Sequence, residues 1–125
     1  MNFETYKKSQ IVFGSGGGIT NLVNEYRLLE NKKLYHKKNT DSTFTDLGKQ
    51  NMNTVKLLFV KTKVLFADTT TMHNPGNRYY FLKFSNNKQT KEIVWGGSKE
   101  NITNDDLLQK AKDLYNELMN LVHLK

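Results

Sequence analysis

The segment Gly14-Ser15-Gly16-Gly17-Gly18 constrains this chain more than any other. Glycine has no side chain to pack and loses the most conformational freedom on ordering, so such a run favours no regular element. It ends the short apolar run Gln10 to Phe13, which reads as a strand. It is followed by Ile19 to Glu30, where two patterns compete. Leu22, Tyr26 and Leu28 alternate as one face of a strand, whereas Leu22, Val23, Tyr26 and Leu29 fit one face of a helix. Asn31-Lys32 followed by Lys33-Leu34-Tyr35 has the form of a tight turn and a returning strand, which favours a hairpin. The glycine segment is then expected to be a flexible or bulged connection between two strands.

Further along, Asn39 to Ser42 is polar and Thr43 to Leu47 has the pattern of a short edge strand. Asn51 or Asn53 can cap a helix running to about Phe66. Its positions Val55, Leu58, Thr62 and Leu65 keep helical spacing, Leu57, Val64 and Phe66 widen the stripe, and Lys56, Lys61 and Lys63 point to water. Asp68 to Asn77 reads as a loop around the turn Asn74-Pro75-Gly76-Asn77. Tyr79 to Phe84 and Glu92 to Trp95 flank Asn86-Asn87 as a second hairpin, closed by Gly96-Gly97. Thr103 or Asn104 is placed to cap a last helix, with Asp105 and Asp106 at its positive end. The stripe Leu107, Leu108, Ala111, Leu114, Tyr115, Leu118, Met119 and Val122 makes that helix the most strongly patterned element. The expectation is a single α+β domain over residues 1–125. Two hairpins and an N-terminal strand form a mostly antiparallel sheet, and both helices pack on one of its faces.

The chain has 125 residues, a usual size for one domain, and its fourteen aromatic side chains are enough for a packed interior. It has no cysteine, which excludes disulfides, thiolate metal sites and a cysteine nucleophile. No apolar run approaches the roughly 20 residues that span a bilayer. Met1 to Gln10 has no apolar signal core, so the chain is either cytoplasmic or lacks an export signal that once preceded it. The net charge is +7, and seventeen of the nineteen basic residues are lysine. Fifteen asparagines accompany them, the pairing that A-rich codons of an AT-rich genome produce.

Each candidate site has a plainer reading beside it. A phosphate loop needs amides at a helix start and a Lys-Ser or Lys-Thr pair, but Ile19-Thr20-Asn21 follows the glycines. The dinucleotide spacing also fails, because it requires glycine at Ile19 or Asn21. An interaction loop at Gly14, Ser15, Gly16, Gly17 and Gly18 stays open, since glycines let another chain approach closely. Ser15 lacks the nucleophile-elbow pattern, and His36, His73 and His123 suggest no triad. Asp68, His73 and Asn74 are better read as a polar turn than as a metal site, and Asp105-Asp106 as helix capping than as paired acids. No catalytic residue, metal ligand or cofactor is assigned.

Tyr79, Tyr80, Phe81 and Trp95 lie on facing strands of one hairpin. Strand alternation puts Tyr79 and Phe81 on the face opposite Tyr80, so one set is a candidate for exposure and binding. Tyr35 is a further candidate. Lys32, Lys33, Lys37 and Lys38 bracket Tyr35 and His36 in the basic first half of the chain, an arrangement that can track phosphates while bases stack. With only two arginines for base contacts, solvated lysines are the favoured account and nucleic acid the alternative.

Several blocks resemble a known family. Gln10 to Thr20, Glu25 to Asn31 and Lys33 to Tyr35 look like the opening of small exported or lipoprotein-type domains of unknown function from Bacteroidetes. Asn77 to Phe81, Ile93 to Gly96 and Leu114-Tyr115 with Leu118-Met119 resemble its later blocks. The chain departs from the pattern at Asn21, and at Lys32, where the family turn has glycine. The resemblance implies strands over Ile19 to Tyr35 and a place in the cell envelope with the signal trimmed. It carries no activity and no catalytic residue. The functional expectation is a non-enzymatic envelope or secreted domain that binds an unknown protein or small ligand, one version being an inhibitor. A nucleic-acid module and an enzyme without a local motif are the alternatives.

Overall fold

The structure, a computed structural model, describes residues 6, 8–19, 21–67, 71–86, 89–97 and 105–123. In chain order the elements are β1 (Gln10–Gly17), β2 (Asn24–Leu29), β3 (Lys33–Lys38), β4 (Thr45–Lys49), α1 (Met52–Ala67), β5 (Met72–His73), β6 (Arg78–Ser85), β7 (Thr90–Trp95) and α2 (Asp105–His123). The seven strands form one sheet in the order β4-β3-β2-β1-β6-β7-β5. Neighbours are antiparallel except β5, which lies parallel to β7. The fold is therefore α+β with a mostly antiparallel sheet, as the hairpin patterns predict.

The period of two along each strand sorts side chains onto two faces. Ile11, Phe13, Leu28, Leu34, Leu82, Phe84, Ile93 and Trp95 point to one face and meet Val55, Leu58, Phe59, Leu65 and Phe66 of α1 and Leu108, Ala111, Leu114, Leu118 and Leu121 of α2. Each such side chain fully removed from water contributes about 1.5–3 kcal/mol, so this layer holds most of the driving force. On the opposite face, among the described residues, Val12, Phe81 and Val94 form a small buried cluster with Val23 and Tyr79 packed against it.

Helix α1 is capped by Asn51, whose Oδ1 accepts the Thr54 amide at 3.0 Å, and this settles the choice between Asn51 and Asn53. Its other end is tied to the sheet by Lys91, whose Nζ donates to the Phe66 carbonyl at 2.7 Å. Thr103 and Asn104, expected to cap α2, lie outside the described residues.

Three expectations are corrected. The glycine segment is not a connection: β1 runs through Gly14, Ser15 and Gly16 to Gly17, between β2 and β6 at the middle of the sheet. The hairpin strand after it starts at Asn24 rather than Ile19: Gly18, Ile19 and Asn21 lie in a turn, and Leu22 and Val23 precede the strand. The stretch read as a loop contains β5, two residues that pair Met72 with Ile93 and His73 with Val94.

Candidate functional site

A strand of glycines needs partners that supply what it lacks, and β6 does so. In register, Gly14 faces Phe81 and Gly16 faces Tyr79. A Cβ on Gly14 would strike the Asn24 carbonyl oxygen and come within 2.8 Å of Phe81 Cζ. A Cβ on Gly16 would stand 2.7 Å from the Tyr79 hydroxyl and 2.9 Å from Val23 Cγ2. The two rings lie across the bare backbone, and cross-strand aromatics of this kind compensate glycine in a sheet. Phe81 is thereby buried on the face opposite α1 and α2. Gly14 and Gly16 are seats for aromatic rings.

Beyond them the chain turns. Gly17 and Gly18 adopt φ of 86° and 80°, and the Gly18 amide donates to the Asn77 carbonyl at 2.8 Å. The bare Cα of Gly18 leaves room for the Arg78 side chain, whose Nε would sit 3.4 Å from a Cβ there. Asn39 closes the turn from the β3–β4 side, its amide donating to the Val23 carbonyl at 2.9 Å and its Nδ2 to the Asn21 carbonyl at 2.9 Å. Asn21 and Lys32 are the only non-glycine residues with positive φ among the described residues, at 50° and 78°.

At this end of β1 a cleft of about 160 Å³ opens, lined by Ser15, Gly16, Gly17, Leu22, Asn24, Arg78, Tyr79 and Tyr80. Its walls rest on the helix-side core. Ser15 is hydrogen-bonded to Tyr115 of α2, and burial raises the pKa of that phenol. Tyr80 stacks on Trp95 at 6.0 Å, and Tyr115 meets Trp95 edge-on at 5.5 Å. On the β2 side, Tyr26 stacks between Phe13 at 5.4 Å and His36 at 4.4 Å. Burial, then the nearby Lys38 charge, lowers the His36 pKa and keeps the ring neutral. Its Nε2 donates to Asn24 Oδ1 at 3.0 Å, which leaves the Asn24 amide N–H groups as donors.

The chemistry of the cleft is therefore donor-rich. Arg78 supplies a guanidinium, and among the described residues it has no ion-pair partner. The other arginine, Arg27, is engaged by Glu25 at 2.8 Å and Gln10 at 3.0 Å. Leu22 gives the lining an aliphatic side chain, and Ile19, three positions earlier in the chain, is fully exposed. Ser15 and His36 are held by Tyr115 and Asn24 respectively, so neither hydroxyl nor imidazole is arranged as a nucleophile–base pair. Among the described residues no group of three or more histidines and carboxylates is placed to hold a metal ion.

Neither the protein-family models nor the curated proteins match this chain.

Of the residues singled out in the sequence, Ser15, Gly16, Gly17, Tyr79 and Tyr80 meet at the cleft. Gly14 and Gly18 flank them in the chain and do not line the cleft. Trp95, a candidate for exposure, is instead buried beneath Tyr80 because strand alternation turns both toward the helices. Tyr35 lies elsewhere, on the helix-free face of β3 opposite Arg27. The four lysines of the nucleic-acid alternative do not form one patch. Lys32 and Lys33 sit at the start of β3 and Lys37 and Lys38 at its end, with the side chains of 37 and 38 on opposite faces. Lys33 is paired with Asp46 at 2.7 Å, and Lys37 lies over the Phe44 ring at 5.5 Å. Leu22, Asn24, Arg78 and Tyr115 are site residues that sequence reasoning missed. The usable signal was the scarcity of arginine: one of only two stands immediately before the Tyr79-Tyr80 pair.

Proposed function

We propose that this chain is a non-enzymatic binding domain that receives a carboxylate, borne on an apolar group of its ligand, in the cleft at the end of β1. The observation that carries this reading is the convergence of Arg78 and the Asn24 amide on one small cleft whose lining also includes the apolar Leu22. A guanidinium with adjoining neutral donors recognises a carboxylate by charge-assisted hydrogen bonds. The apolar rim then takes the group next to it. The engagement of His36 by Asn24 and of Ser15 by Tyr115 supports binding rather than turnover. A cell-envelope setting follows from the family resemblance of the β1, β2 and β6 blocks, and it is proposed on that ground alone.

Trp95 is the single tryptophan and lies directly under Tyr80, a wall of the cleft, so its fluorescence reports occupancy. Titration with N-acetyl-leucine is expected to give a saturable change, and N-acetyl-leucinamide a much weaker one. Arg78→Gln should weaken the carboxylate probe by about tenfold or more, the equivalent of one charge-assisted hydrogen bond. Equal responses to acid and amide, or an Arg78→Gln variant that binds as well as the parent, would refute the reading.

A further inference from the structure

Where α1 ends against the β6–β7 hairpin there is a cleft of about 210 Å³. Lys63, Phe66 and Ala67 line it from α1, and Phe84, Asn86, Gln89 and Lys91 from the hairpin. The last carbonyls of a helix need donors from outside it, and the Phe66 carbonyl finds one in Lys91 Nζ at 2.7 Å. That bond holds the Lys91 ammonium at the cleft and uses one of its three N–H donors. Phe66 stacks on Phe84 at 6.5 Å, so the apolar part of the lining is a pair of rings. The turn that carries Asn86 and Gln89 is closed by their own bonds: the Asn86 amide donates to the Gln89 carbonyl at 3.0 Å, and Asn86 Oδ1 accepts the Gln89 amide at 3.1 Å.

The charge of this lining is one-sided. It holds two ammonium groups and two carboxamides and no acid. The groove between α1 and α2 differs, since its Lys61 and Lys110 are matched by Asp113 and Glu117. Glu92, next to Lys91 in the chain, points to the other face of the sheet and meets Lys83 there at 3.6 Å. Among the described residues Lys63 has no carboxylate partner. Asp68 and Lys88, of opposite sign, stand beside lining residues in the chain and lie outside the described residues. We infer that this cleft binds a compact organic phosphate monoester, with the phosphoryl group between Lys63 and Lys91 and the apolar group against Phe66 and Phe84. A phosphoryl dianion balances two ammonium groups, and lysine meets its three oxygens as a point charge with rotatable donors. A planar carboxylate is matched better by the fork of an arginine, which this lining lacks. The volume lies below the roughly 300–1,000 Å³ of pockets for drug-sized ligands, so the ester is a small one.

The test is an amide-shift titration of the full chain with phenyl phosphate, benzoate and inorganic phosphate. Phenyl phosphate is expected to give saturable shifts at Lys63 to Ala67 and Gln89 to Lys91. It should bind about fivefold or more tighter than either of the other two. Lys63→Gln, at an exposed position, should weaken phenyl phosphate about three- to fivefold, the scale of one partly exposed ion pair, and Lys63→Arg should restore most of that loss. Affinity for phenyl phosphate should rise from about pH 5 to about pH 7.5, as the second proton leaves a phosphoryl group with a pKa of about 6, and affinity for benzoate should not follow it. Arg78→Gln should leave phenyl phosphate binding unchanged, which separates this cleft from the one at the end of β1. Equal binding of phenyl phosphate and benzoate overturns the proposal. So does inorganic phosphate that binds as tightly as the ester, a Lys63→Gln variant that binds as well as the parent, or shifts that centre on Arg78.

Discussion

At the residue scale, the glycines of β1 divide into two kinds of requirement. Gly14 is closed in by backbone, the Asn24 carbonyl, and by the Phe81 ring. Gly16 is closed in mainly by the end of the Tyr79 side chain and a Val23 methyl, which can shift. Gly14→Ala is therefore expected to cost about 3 kcal/mol and Gly16→Ala about 1 kcal/mol, read from urea unfolding midpoints at constant slope. Equal costs would mean that the rings, rather than the strand, set the limit. His36 makes a second prediction. Its folded pKa lies below the ordinary value of 6.5, because burial disfavours the charged ring. As pH falls the unfolded chain takes up the proton first. The stabilisation is thus complete above 6.5 and is lost as pH falls toward the folded value. Urea midpoints should be flat above pH 6.5 and decline below it, and His36→Gln should remove that decline.

At the element scale, what was legible depended on how local its cause is. Helix α2 could be read because its apolar residues, from Leu107 to Val122, fall on one stripe and its other positions are polar. The hairpins β2–β3 and β6–β7 could be read because turn and strands adjoin in sequence. The cap of α1 was narrowed to two asparagines, and only the bond to Thr54 decides between them. Asn51→Ala should accordingly lower stability by about 1 kcal/mol, whereas Asn53→Ala, at an exposed position, should change it little. Thermal melts of the two variants measure the difference. The strand through Gly14 to Gly17 could not be read locally. What makes it a strand is a pair of aromatics on β6, far away in the chain, and a glycine run by itself signals a break. β5 was missed for a related reason: two residues, pairing in parallel with a strand that comes later, leave no periodicity. On α1, Leu57 and Val64 were assigned to widening the buried stripe, but both are exposed. Spacing alone cannot say which side of a helix meets the sheet.

At the scale of the whole molecule, the sheet separates the main core beneath α1 and α2 from a smaller cluster around Val12, Phe81 and Val94 on its other face. The proposed ligand cleft opens where the central strand ends, and its walls are braced from the core by Tyr115, Trp95 and His36. The candidate site was legible only as far as its glycines and tyrosines. Arg78 and Asn24 join it through the register of β6 and β2 on β1, which is tertiary information. The groove between α1 and α2 shares no lining residue with this cleft. The central claim is that the end of β1 is a carboxylate-binding cleft. An amide-shift map of the whole chain, titrated with N-acetyl-leucine, tests it most directly. Saturable shifts clustered on Ser15 to Gly18, Asn24 and Arg78 to Tyr80 are the predicted result. Shifts that never saturate, or that gather on the β3 lysines or the α1–α2 groove, would contradict it.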